Sequence, residues 1–175
     1  MSVASKVKKA TEAVTNIFTP EEFETKAVDI LDTLEREHDE MRSLLSDLQD
    51  ADGAPARVAL VQRIRQALVP HMKAEEKIVY DAVKVVDDAH AQTDAHEGHL
   101  EHEWTLRTLE RLDALADATS PEHRATAKVL QDLVEHHIQE EESNIWSDVA
   151  THFSEDERAR MNIEYRAAKK AVRIG

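Results

Sequence analysis

Apolar residues recur along most of this chain at alternating spacings of three and four, the period of a helix that buries one stripe. One stripe is Leu31, Leu34, His38, Met41, Leu45 and Leu48. A second is Val61, Ile64, Leu68, His71, Glu75, Ile78 and Ala82. A third begins polar, with His99 and His102 before Leu106 and Leu109. The fourth is Ala127, Leu130, Val134, His137, Glu141, Ile145 and Val149. Helix breakers and caps separate the stripes. Thr19-Pro20-Glu21-Glu22 reads as an N-cap, a proline at the first helical position and an acidic first turn, opening a helix that runs to about Asp50. Asp52-Gly53-Ala54-Pro55 is a turn, and a second helix follows over about 56–87 with Pro70 expected to kink it. A polar stretch near 90–94 separates a third helix, about 95–117. Ser120-Pro121-Glu122 opens a fourth, to about Ala150. Ser154-Glu155-Asp156-Glu157 is a capping box for a last helix to about Val172, whose basic end suits the helix dipole. A basic amphipathic segment over about 3–17 precedes them all.

Short turns between long helices imply antiparallel neighbours. The expected fold is therefore all-α: an up-and-down four-helix bundle with extra N-terminal and C-terminal helices. The chain divides into an N-terminal extension at 1–18, the bundle at 19–152 and a C-terminal helix at 153–175 that packs on it. An internal repeat supports this pairing. The run from His71 through Glu75-Glu76, Val79-Tyr80 and Val83 aligns without gaps against His137, Glu141-Glu142, Ile145-Trp146 and Val149. The first helix pair thus corresponds to the second.

Composition narrows the function. Hydrophobic residues are 41% of the 175, enough for a core, while helix-favouring residues dominate. A net charge of −14 repels phosphate backbones, so no nucleic-acid partner is expected. No apolar run is long enough to span a membrane, and no signal peptide is visible, which points to the cytoplasm. Whether the chain is a monomer or a homo-oligomer is left open. With no cysteine, any metal must be held by His, Asp or Glu.

The ten histidines carry the chemical signal. Each of the four stripes places at least one histidine where its neighbours point inward. Spacing of four also sets Glu75 beside His71 and Glu141 beside His137 on the same face. Buried carboxylates and imidazoles are costly unless paired or metal-bound. Equal distances from the helix ends put His38, His71, His102 and His137 at roughly one level. Imidazole and carboxylate without sulfur suits iron or manganese, with zinc possible, and two glutamates can each bridge two ions. The remaining histidines, His90, His96, His123 and His152, are expected at the surface, and His136 flanks the site. Glu37, Glu76, Glu101 and Glu142 adjoin the candidate ligands. They are expected to be mostly solvated, with one able to orient a ligand histidine. Tyr80 and Trp146 are expected to pack at the bundle end.

These motifs, Glu37-His38 with the Met41/Leu45 seam, His71-x-x-x-Glu75-Glu76, Glu101-His102 and His137-x-x-x-Glu141-Glu142, resemble the hemerythrin family in its broader HHE cation-binding branch. The resemblance implies a non-heme di-iron centre: two iron ions with a bridging oxo or hydroxo group, ahead of manganese or zinc. Carried over, the motifs make His38, His71, Glu75, His102, His137 and Glu141 metal ligands, with Glu75 and Glu141 as bridges and His99 as a further candidate. Two spacings depart from the oxygen carriers of the family. His99 and His102 are three apart rather than four, and the last pair is a histidine and a glutamate four apart rather than a histidine and an aspartate five apart. The implied partner is a small diatomic ligand, oxygen or nitric oxide, bound or sensed, or iron itself. The alternative is an enzyme that decomposes hydrogen peroxide or reduces nitric oxide.

Overall fold

A computed structural model describes residues 27–174, and every element in that span is helical. Helix α1 covers Ile30–Asp50. Helix α2, Ala54–Glu75, runs without interruption into a π-helical turn at Glu76–Tyr80 and then into the short α3, Asp81–Val83. Helix α4 is Ala89–Asp113. Helix α5, Pro121–Glu140, passes through a second π turn at Glu141–Ile145 into α6, Trp146–His152. Helix α7 is Glu155–Ala171.

Local chemistry sets the boundaries. Asp29 stands in extended conformation and accepts from the Leu31 N–H at 3.0 Å, so α1 starts at Ile30. The start expected at Thr19-Pro20, like the N-terminal extension, lies outside the described residues. Gly53 has φ +79, a conformation that other residues avoid, and Pro55 fills the first turn of α2. The polar stretch at 90–94 is not a break. Asp88 accepts from the N–H groups of His90 and Ala91, and this cap starts α4 several residues early. Ser120 caps α5 and Ser154 forms the capping box of α7, both as expected. The irregularity of the second helix lies beyond Pro70. Helix continues through that proline, and the ladder widens only where Asp81 N–H reaches back five residues to the Glu76 carbonyl.

Helices α1, α2, α4 and α5 pack as a ring of four, each against two neighbours. Helix α7 crosses the outside of this ring, against α2, α1 and the first π turn. The interior holds two apolar clusters. One, with Met41, Leu45, Leu48, Ile64, Leu68, Leu109, Leu130 and Val134, fills the end near the α1–α2 and α4–α5 turns. The other, with Ile30, Leu34, Val79, Tyr80, Ala95, Ile145, Val149 and Tyr165, fills the opposite end. Each fully buried leucine or isoleucine contributes about 1.5–3 kcal/mol. Along α1 the order is Leu34, His38, Met41, and along α4 it is Ala95, His102, Leu109, so a polar layer lies between the clusters.

Among the described residues no helix is long and apolar enough to cross a membrane. The Ser154 cap anchors α7 where it leaves the bundle. Ser154→Ala should cost about 1 kcal/mol, read as a lower urea midpoint with an unchanged m-value.

Candidate metal centre

The polar layer brings together six of the seven residues expected as ligands. His38 comes from α1, His71 and Glu75 from α2, His102 from α4 and His137 from the last turn of α5, while Glu141 opens the second π turn. None is more than 1% exposed. They form two groups whose ligand-capable atoms lie within 4.8 Å of one another: His38, His71, Glu75 and Glu141, and Glu75, His102, His137 and Glu141. Both glutamates belong to both groups. Glu141 Oε2 lies 3.3 Å from His38 Nε2 and 3.4 Å from His137 Nε2. Glu75 Oε2 lies 3.2 Å from His71 Nε2 and 3.6 Å from His102 Nε2.

Each imidazole turns Nε2 inward because a carboxylate holds Nδ1 on the outside. Glu37 Oε2 is 3.0 Å from His71 Nδ1, and Glu101 Oε2 is 2.9 Å from His137 Nδ1. Glu142 Oε1 is 3.1 Å from His38 Nδ1, and Glu76 Oε1 is 3.3 Å from His102 Nδ1. The pattern obeys the internal repeat. Glu37 with His71 mirrors Glu101 with His137, and Glu142 with His38 mirrors Glu76 with His102. The expectation that most of these glutamates are solvated is therefore corrected. They are 15–29% exposed, and all four orient a histidine. Their adjacency to the ligands in both halves of the repeat was the available signal.

Most of the inward atoms lack partners. Nε2 of His38 and His71, both carboxylate oxygens of Glu75 and Oε2 of Glu141 are buried without a hydrogen bond. His102 Nε2 and His137 Nε2 face each other at 3.0 Å. Orphaned buried acceptors of this kind cost a few kcal/mol each. A cation among them would satisfy all of them at once, so the donor set fits a metal. Burial and the adjacent Glu141 charge push the Glu75 carboxyl up. Burial disfavours a charged His71, but Glu75 and Glu37 outweigh it and raise the imidazole to about 10. Burial and the neighbouring His137 hold His102 down at about 3.

The π turns let two aromatic residues of the end cluster, Tyr80 and Trp146, reach the centre as well. A π turn places residues five apart on one side, here Glu75 with Tyr80 and Glu141 with Trp146. The fully buried Tyr80 hydroxyl donates to Glu141 Oε1 and lies 3.4 Å from His102 Nε2. Burial and the charges of Glu141 and Glu75 push this phenol well up, so it stays protonated. Trp146 stacks on His38, with ring centroids 5.8 Å apart. Gly98 makes room for Tyr80, since a Cβ there would stand 2.6 Å from the Tyr80 oxygen. A π turn leaves no mark in a period of 3.6, so sequence reasoning missed these contacts.

His99 belongs to neither group. It is half-buried, with Nδ1 3.8 Å from Glu76 Oε1 and its ring 5.6 Å from that of Tyr80. His123 corrects another expectation, being buried, with Nδ1 3.4 Å from the equally buried Arg57 guanidinium. Its spacing of four from Ala127 extends the fourth stripe, a signal that the surrounding polar residues masked. His90 and His96 are exposed and His152 is partly covered, 3.5 Å from Asp88. His136 is exposed but touches Glu101 Oε1 at 3.2 Å. The residue not foreseen at all is Tyr165 of α7. Its hydroxyl donates to Glu37 Oε2 at 2.5 Å and lies 3.0 Å from His71 Nδ1.

Comparison with known proteins agrees with this geometry. The hemerythrin HHE cation-binding domain family matches residues 29–149. The chain belongs to this family, and its buried histidine and glutamate cluster is compatible with metal binding. A protein from Nostoc sp. described as a DNA nickase is 24% identical over 145 residues, 83% of this chain. The chain spans about two fifths of that relative's length, since the match covers 40% of it. No solved structure matches significantly.

Two outcomes follow from the geometry. Glu101→Gln weakens the hold on His137 Nδ1 and should lower metal affinity roughly 10–100-fold, read by competition with a chelator. Gly98→Ala forces the buried Tyr80 ring aside and should destabilise the fold by about 1–3 kcal/mol, read by thermal unfolding.

Proposed function

We propose that the chain is a non-heme di-iron protein that binds or senses a small molecule, with oxygen and nitric oxide as the candidate ligands. The observation that carries this reading is the sharing of Glu75 and Glu141 between the two donor groups. Each group then has two imidazoles of its own and shares both carboxylates with the other. His38 and His71 would serve one ion, and His102 and His137 the other. This donor set, free of sulfur, suits iron ahead of manganese or zinc. Bound iron would supply a reversible change of oxidation state and coordination positions that the protein leaves open. His99 stands apart from both groups, so the reading rests on four histidines.

The chain's own residues do the rest. The apolar clusters above and below the layer exclude water, which strengthens every electrostatic contact inside. Glu37, Glu76, Glu101 and Glu142 fix each imidazole with Nε2 inward and raise its basicity. Tyr80 holds a proton at Glu141 Oε1. A small pocket lined by Gly98, Glu101, Glu141 and Asn144 borders the centre on the side of Glu141.

Tyr80 also favours a second reading, an enzyme that decomposes hydrogen peroxide or reduces nitric oxide. Both reactions move protons, and a buried phenol beside Glu141 and His102 is a placed proton-bearing group. The nicking activity named for the Nostoc relative is not adopted for this chain. The matched part is a minority of that protein, and a net charge of −14 opposes binding to a phosphate backbone.

The test is iron content per chain with an absorption spectrum of the same sample. About two irons per chain with near-ultraviolet charge-transfer bands are expected. His38→Ala and Glu75→Ala should each lower that content, and unchanged iron in both would sink the assignment. Reversal of the spectrum on degassing favours the binding protein, and gas evolution from added peroxide favours the enzyme.

A further inference from the structure

The internal repeat gives the two donor groups similar surroundings; Tyr80 beside His102 and Trp146 beside His38 already differ, and α7 adds a further difference. This helix lies beyond the residues matched by the family, 29–149. Arg158 pairs with Asp29 at 2.7 Å, and Asn162 donates to the Val28 carbonyl at 3.0 Å, pinning α7 to the start of α1. From there two side chains converge on Glu37 Oε2, the oxygen that also faces His71 Nδ1. Tyr165 donates to it at 2.5 Å, and Lys169 Nζ stands 2.6 Å away. Tyr165 is fully buried and Lys169 is partly exposed.

The mirror position is dressed differently. Glu101 takes His137 on Oε2 and, on Oε1, only the exposed His136. No lysine or phenol reaches it among the described contacts. A carboxylate behind an imidazole makes that imidazole a stronger donor. Each further donor on the carboxylate draws its charge away and weakens the effect. Glu37 shares one oxygen among His71, a phenol and an ammonium, so it supports His71 less than Glu101 supports His137. A weaker imidazole donor stabilises the oxidised ion less.

We propose that α7 makes the two metal positions inequivalent, with Tyr165 and Lys169 acting through Glu37 so that the ion held by His38 and His71 is the more readily reduced. The inference rests on the di-iron reading above. Tyr165 and Lys169 are positioning residues, since neither faces the inward donor atoms. Reduction by an external one-electron donor would then occur first at the position under α7.

The experiment uses the full chain loaded with iron-57, examined by Mössbauer spectroscopy and by redox titration. The oxidised wild type is expected to show two quadrupole doublets of equal area and two separated reduction steps. Tyr165→Phe keeps the ring and removes the hydroxyl. It should shift one doublet only and lower the potential of the first step. Lys169→Gln, at the partly exposed end of the contact, should shift the same doublet without disturbing the core, and it carries the test if Tyr165→Phe fails to fold. His136→Gln should shift the other doublet. Coincident doublets in the wild type, or doublets and potentials unmoved in both α7 variants, would overturn the inference while leaving two irons per chain intact. Fewer than two irons in the wild type would instead overturn the di-iron reading itself, and the inference with it.

Discussion

Six ionisable side chains buried at one level of a helical bundle are the constraint on which this structure depends. Each would cost several kcal/mol as an uncompensated charge in an apolar interior. The fold meets that cost from two directions. On the outer side, Glu37, Glu76, Glu101 and Glu142 each take one imidazole Nδ1. On the inner side, Nε2 of His38 and His71, both oxygens of Glu75 and Oε2 of Glu141 converge without a hydrogen-bond partner. The apolar clusters on either side of the layer provide the stability against which this arrangement can stand.

The same constraint explains the irregular backbone. A regular helix carries a residue five positions past Glu75 or Glu141 away from the centre. The π turns at Glu76–Tyr80 and Glu141–Ile145 return it, and so Tyr80 and Trp146 meet the polar layer. That both turns follow the second glutamate-containing motif of each half shows the repeat to be structural as well as sequential. The repeat is then broken by chemistry: a phenol on one side, an indole on the other, and α7 over one pair of histidines alone.

Much of this was legible in the residues. The alternation of three and four, with His38, His71, His102 and His137 inside it, specified four antiparallel helices and the polar level between them, because burial on one stripe is a local property of helical period. Caps at Ser120 and Ser154 were legible for the same reason, since the cap bonds its own first turn. The cap at Asp88 was missed because polar residues at the start of a helix look like those of a loop.

What only the tertiary structure decided are contacts between residues far apart in sequence. Which carboxylate holds which imidazole depends on how neighbouring helices face each other, so Glu142 reaching His38 and Glu37 reaching His71 could not be read along one helix. His99 and His102 shared a stripe in sequence, yet the turn of α4 within the bundle buries His102 and leaves His99 at the rim. His123 was drawn inside by Arg57 from another helix. Tyr165 reached the centre only because α7 folds back across α1 and α2. Sequence alone determined the helices, their inward faces and the kind of donor they carry, since these follow from residue type and period. The pairing of those donors needed the packing of the helices, since it is set by distances the chain closes only once folded.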